Sequence, residues 1–209
     1  MAINGYPTLS VADTLTTINE LSTTYGWGIT AVMDSTNIAI KDSDGHTVMK
    51  LFFSESSGNG IFCYYNNGSN HIGQNNRYHG SPVCDIYSTS HGFIIVSHAS
   101  EAWWSAFLNV NDDGKIICGT MTDASEAEYR VKYLSVCSYG DSSAMALGFT
   151  PHLSPTVTTL CNMTGVGTID KPSVAQYAFY SPVYQTAATG TVDIDGEQYV
   201  TIGYWYMKD

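Results

Sequence analysis

The sequence predicts a mainly β protein, an antiparallel β-sandwich or barrel-like domain with one short helix near its N-terminus. Three observations predict it. Runs of about six to eight residues rich in Val, Ile, Phe, Tyr and Trp recur between clusters of turn residues, as strands do. Asp-Gly pairs at Asp44-Gly45, Asp113-Gly114 and Asp195-Gly196 stand between such runs, where tight hairpins form. Helical spacing of apolar residues is best developed within residues 10–24. With no repeat of fixed period, low-complexity tract or composition break, residues 1–209 are expected to form a single β-rich domain with that helix packed on it.

The helix begins at Ser10, which can cap it with Asp13 three residues on, and Val11, Leu15, Ile18 and Leu21 make its apolar stripe. Thr14, Thr16 and Thr17 are poor helix formers, so burial must hold it, and Gly26 is its expected stop. It is expected to lie across a sheet. Residues 27–33, 37–41 and 47–53 then read as a three-stranded meander, and 54–60 as a loop. Ile61 to Tyr65 is another strand. Residues 66–76 are so polar and glycine-rich that they read as the longest loop, one that would gather Tyr64, Tyr65, His71, Arg77, Tyr78 and His79.

Strands are expected at 83–87, 92–97 and 103–110, the last turning through Asn111-Asp-Asp-Gly114 into 115–119. Alternation along 103–110 places Trp103 and Trp104 on opposite faces, so one of them should meet solvent or a partner. A single helical turn at 123–128 and strands at 129–138, 144–149, 156–161 and 173–184 follow. The hairpin around Asp195-Gly196 closes the reading, its loop length and register left open.

Charged residues make up 13% of the chain against a usual fraction of about 25%, so Ser, Thr, Asn and Gly must carry much of the surface. That suits a protein whose faces meet other subunits. Eight basic and 19 acidic residues give a net charge of −11, which repels phosphate and argues against nucleic acid as a partner. Five cysteines without CxxC spacing read as buried thiols in a reducing compartment. The start lacks a basic region before an apolar core, and no run approaches the roughly 18 apolar residues of a membrane span. A soluble product that starts in the cytoplasm, with no membrane partner, is the expectation.

Motifs for nucleophilic, metal or nucleotide chemistry are missing: there is no GxSxG, HExxH, phosphate-binding loop or strand-linked GxGxxG. Asp42-Ser-Asp-Gly45, Asn109 to Gly114 and Asp193-Ile-Asp-Gly196 resemble calcium loops, but the twelfth position of the middle one is Thr120, where a bidentate glutamate is needed. All three read as hairpin turns. The histidines lack zinc spacing, and Cys84 or Cys137 with a histidine and Asp85 is the one nucleophile site that can be drawn. No catalytic residue, cofactor or metal ligand is assigned.

Fifteen tyrosines and four tryptophans are the side chains that anchor protein interfaces or stack on sugars. Tyr64-Tyr65, Trp103-Trp104 and Tyr204-Trp205-Tyr206 cannot place every ring on one face, which makes these seven residues the candidate interface or ligand aromatics. The segments Ala175-Gln-Tyr-Ala-Phe-Tyr180, Thr189 to Gly203 and Met207-Lys-Asp209 resemble the close of structural proteins of tailed bacteriophages and prophages of gut bacteria. Phe93 to Ser97 and Asn109 to Cys118 are similar to their middle region more loosely. The resemblance implies a virion component of tail, neck or head surface, made in bacterial cytoplasm and assembled in symmetric copies with other virion proteins, without catalysis. The alternative is a receptor- or carbohydrate-binding module that stacks exposed rings on a host surface glycan. A Cys-His enzyme is the third.

Overall fold

The computed structural model describes residues 4–54, 58–65, 68–75, 84–98, 103–124, 131–138, 144–149, 178–185, 191–194 and 196–208. Strand β1 (Asn4–Leu9) leads into helix α1 (Val11–Tyr25), and the meander β2 (Thr30–Asp34), β3 (Asn37–Lys41), β4 (Thr47–Ser54), β5 (Gly58–Tyr65) and β6 (Asn70–Asn75) follows. A second run comprises β7 (Cys84–Thr89), β8 (Gly92–His98), β9 (Trp103–Val110), β10 (Ile116–Ala124), β11 (Val131–Ser138) and β12 (Ala144–Phe149). Last come β13 (Ala178–Gln185), β14 (Thr191–Ile194) and β15 (Glu197–Lys208). All pairings are antiparallel: a seven-stranded sheet in the order β1-β7-β8-β9-β10-β11-β12, a five-stranded sheet β2-β3-β4-β5-β6, and a three-stranded sheet β13-β15-β14.

The fold is a mainly β sandwich with a short N-terminal helix, and side-chain alternation explains its layering. Met49, Leu51, Ile61 and Cys63 of the five-stranded sheet form one core with Ile86, Phe93, Ile95, Ala106, Leu108 and Cys118 of the seven-stranded sheet. Removing such side chains from water is the main stabilising term, about 1.5–3 kcal/mol for each large aliphatic one. Ile94, Val96, Phe107 and Ile117 alternate with that set and are buried as well, at no more than 1% exposure. Their cover includes β15, which packs on β8 and β9 and drives Trp205 edge-on against Phe107 at 4.6 Å between ring centroids. The uninterrupted run Phe93-Ile-Ile-Val96 is what burial on both faces demands.

Two glycines make these contacts geometrically possible. A Cβ at Gly92, whose φ is +142°, would lie 1.9 Å from the Leu108 carbonyl oxygen. At Gly119, directly across from Phe107, it would lie 2.2 Å from that ring, so the missing side chain is the bed on which Phe107 lies to receive Trp205.

Helix α1 starts and stops as its sequence predicts. Ser10 Oγ accepts the Asp13 amide at 3.2 Å and donates to the Asp13 carboxylate at 2.6 Å, while left-handed Gly26 closes the C-terminus on the Ser22 carbonyl. Thr14, Thr16, Thr23 and Thr24 donate to carbonyls four residues back, which gives their hydroxyls partners on the helix itself. Ile18 and Leu21 enter the core, Val11 and Leu15 pack on it partly buried, and Thr14, Thr17 and Ser22 are buried beside them. The expected position across a sheet is corrected. The helix runs beside β2, an edge strand, and also touches β1, β3 and β7, so it wedges between the two large sheets where their order leaves β1-β7 and β2-β3.

Four further expectations change. Asn70–Asn75, read as part of a long loop, is strand β6, paired from Tyr65↔Asn70 to Gly60↔Asn75. Backbone pairing with β5 needs no apolar side chains, and an edge position tolerates polar residues. Gly58–Gly60 belongs to β5 and not to a loop, and Asp123-Ala124 extends β10 where a helical turn was expected, the remainder of that turn lying outside the described residues. Residues 27–29 precede β2 instead of opening it, with Gly28 at φ +70°; the strand expected at 156–161 lies outside the described residues.

Candidate functional site

The outward face of the five-stranded sheet is the candidate site, and register assembles it. With Met49, Leu51, Ile61 and Cys63 turned inward, Lys50, Phe52, Phe62 and Tyr64 stand on the other side. Lys50 pairs across to Ala39 on one flank and Phe62 on the other, and Phe52 faces Gly60. Glycine there leaves Phe52 room to meet Phe62 edge-on, with centroids 4.9 Å apart and planes at 88°. All three aromatic rings are half-buried, with Val32 and Ala39 continuing the apolar floor.

An ion pair crosses this floor. The Lys50 ammonium bonds the Asp34 carboxylate and sits 5.2 Å from the centre of the Phe52 ring, within cation–π range. Hydrogen bonding from Lys50, then its charge, holds the Asp34 carboxyl below the usual carboxylate value, with Lys41 adding to the effect. Partial burial pushes the Tyr64 phenol above its ordinary value, while Lys50 opposes and Asp34 reinforces that shift. Such a surface offers ring faces for stacking next to one polar pair that fixes orientation.

The residues singled out from sequence separate sharply. Tyr64 is on this face; Tyr65 follows it in β5, with its side chain outside the described residues. Trp103 and Trp104 open β9 opposite His98 and Ser97, and Tyr204 and Tyr206 flank Trp205 in β15, again with side chains outside what is described. Trp205 is corrected: it is fully buried against Phe107 and is no surface ring. Phe52, Phe62, Lys50 and Asp34 were missed. Their signal is present as alternation, in Lys50-Leu-Phe52 and in Phe62-Cys-Tyr64, but only the pairing register, which sets Lys50 opposite Phe62, shows that the alternate residues of the two triplets share a face.

Elsewhere, groups that resemble chemistry have structural work. Ligand atoms of Asp42, Asp44 and His46 lie within 4.8 Å of one another. Asp42 Oδ1 accepts the Asp44 and His46 amides at 3.0 and 2.8 Å, which is how an aspartate builds the turn between β3 and β4. The Asn111 to Lys115 turn is built alike, with the Lys115 amide donating to Asp113 and Gly45, Gly114 and Gly196 all at positive φ. Burial pushes the Cys84 thiol up to about 12, with Asp85 acting in the same direction and the hydrogen bond to Thr14 against it. Such a thiol stays protonated at neutral pH and is a poor nucleophile. Buried Asp85 accepts the amide of Thr8 at 2.8 Å and so fixes a β-branched residue at φ +57° in the bulge between β1 and β7.

No family model matches the sequence, no curated protein matches it, and no solved structure matches the fold. Among the described residues no helix is long and apolar enough to cross a membrane.

Proposed function

We propose that this chain is a non-catalytic assembly protein, a structural component of a tailed-phage or prophage particle that works by face-to-face contact with further copies and with other virion proteins. The observation that carries the assembly role is the outward face of the five-stranded sheet, where Phe52, Phe62 and Tyr64 stand half-buried around the Lys50–Asp34 pair. Aromatic anchors ringed by polar groups are the anatomy of a protein interface. The particle is supplied by the resemblance of Ala175 to Tyr180 and Thr189 to Gly203, and the low charged fraction suits a surface that meets other subunits.

Native mass spectrometry of the whole chain tests the proposal. A defined homo-oligomer is expected, and Phe62→Asp should dissociate it while the far-ultraviolet spectrum stays β-rich. A wild-type monomer at all concentrations, or an oligomer indifferent to Phe62→Asp, overturns it. The second reading, a glycan-binding module, draws on the same rings beside a hydrogen-bonding pair, which is how sugars are held. Retention on an array containing bacterial surface polysaccharides, lost in Tyr64→Ala, would move the assignment there.

A further inference from the structure

The free edge of β2 is closed by side chains. Asn19 of α1 donates from Nδ2 to the Ala31 carbonyl at 3.0 Å and accepts the Ala31 amide on Oδ1 at 2.8 Å. One turn on, Ser22 donates to the Ile29 carbonyl at 2.6 Å and lies 3.4 Å from the Ile29 amide. An amide side chain that both donates to and accepts from one residue reproduces what a neighbouring strand would do. Positions 19 and 22 share a helix face, and Ile29, the residue before β2, lies two residues from Ala31 within it, so the helix reads the edge and its approach with the spacing a ladder has.

We propose that α1 is an edge guard: Asn19 and Ser22 occupy the backbone positions through which β2 would otherwise pair with a second copy of this chain. The strand's own protection is limited to its short length and to Asp34 at its end. Its sequence, Thr-Ala-Val-Met-Asp, has neither the lysine nor the proline that commonly blunts an edge. By the two-residue period of the ladder, Met33 presents its backbone on the same edge as Ala31, and Met33 is 50% exposed, an apolar side chain beside the guarded positions. The partner is a second copy because an antiparallel edge is self-complementary: two β2 strands related by a twofold axis can pair without any other sequence.

The guard is held by tertiary contact more than by its own helical preference. Threonine occupies five of the fifteen positions of α1, and no basic residue stands in its last turn. The helix stays because Ile18 and Leu21 are buried and because Thr14 contacts the Cys84 thiol at 3.0 Å. Loosening the polar contacts should therefore open the edge before the core fails.

Sedimentation velocity over a range of concentrations tests this. The double variant Asn19→Ala, Ser22→Ala should keep its β spectrum and self-associate, with a shift on the order of a hundredfold toward the paired form for the hydrogen bonds removed. Asn19→Asp, which keeps the acceptor for the Ala31 amide and loses the donor to its carbonyl, should fall between wild type and the double variant. Adding Met33→Lys to either variant should restore the wild-type distribution. Introducing Phe62→Asp should leave the guard-dependent association in place, which separates it from assembly through the aromatic face. Sedimentation identical to wild type in both variants, or association that Met33→Lys does not reduce, overturns the proposal; Asn19→Asp answers alone should the double variant not fold.

Discussion

The seven-stranded and five-stranded sheets share one interior but differ in what their opposite faces meet. Beyond that interior, β8 and β9 carry Ile94, Val96 and Phe107, and β15 lies on them; β4 and β5 carry Lys50, Phe52, Phe62 and Tyr64, which remain half-buried. Covered, a face dispenses with charge, and the run Phe93 to Val96 of β8 reads apolar at every position. Half-buried, the other face keeps its rings and sets an ammonium–carboxylate pair among them. The comparison shows two kinds of apolar surface in one fold, one closed over by another layer and one left half-buried.

The largest effect should come from the covered side. Trp205→Ala removes the ring that meets Phe107 and leaves a cavity, at a cost of about 3–5 kcal/mol in denaturant unfolding. Phe62→Ala, from the half-buried face, should cost less, about 1–2 kcal/mol, and should act on assembly more than on stability. Equal losses from the two variants would break the comparison. The smallest effect is electrostatic. Because Lys50 lowers the Asp34 pKa in the folded chain, the pair's contribution is present above the unfolded carboxylate value and is lost as pH falls through the lowered folded value. Asp34 is exposed at the surface, so that loss should be small and should shrink further in high salt, and Asp34→Asn should flatten it in unfolding midpoints taken at acid pH.

Much of the fold was legible because its turns and caps are local. Asp-Gly pairs marked the hairpins, Ser10, Asp13 and Gly26 framed the helix, β9 lies where alternation put it, and β12 matches the short strand expected at 144–149. Distant pairing was not legible. Nothing in Asn4 to Tyr6 announces that they pair with Ile86 to Ser88, and the polar composition of Asn70–Asn75 concealed a strand that needs only its neighbour's backbone. The candidate site fared likewise. Tyr64 stood out as a ring in a β-prone run, whereas Phe52 and Lys50 joined it only through a cross-strand register that no window along the chain contains. Trp205 misled for a related reason: a neighbouring tyrosine on each side reads as a surface cluster until the layer beneath is known.

Phe107 waits on Trp205, and the two are almost a hundred residues apart in the order of synthesis. At ordinary elongation rates the interval between them is roughly 5–20 s, during which β8 and β9 have emerged from the ribosome without the strand that shields them. The nascent polypeptide therefore carries sticky hydrophobic surface for far longer than a hairpin takes to form, and chaperones or neighbouring nascent chains have ample opportunity to reach Ile94, Val96 and Phe107 before the molecule's own tail does.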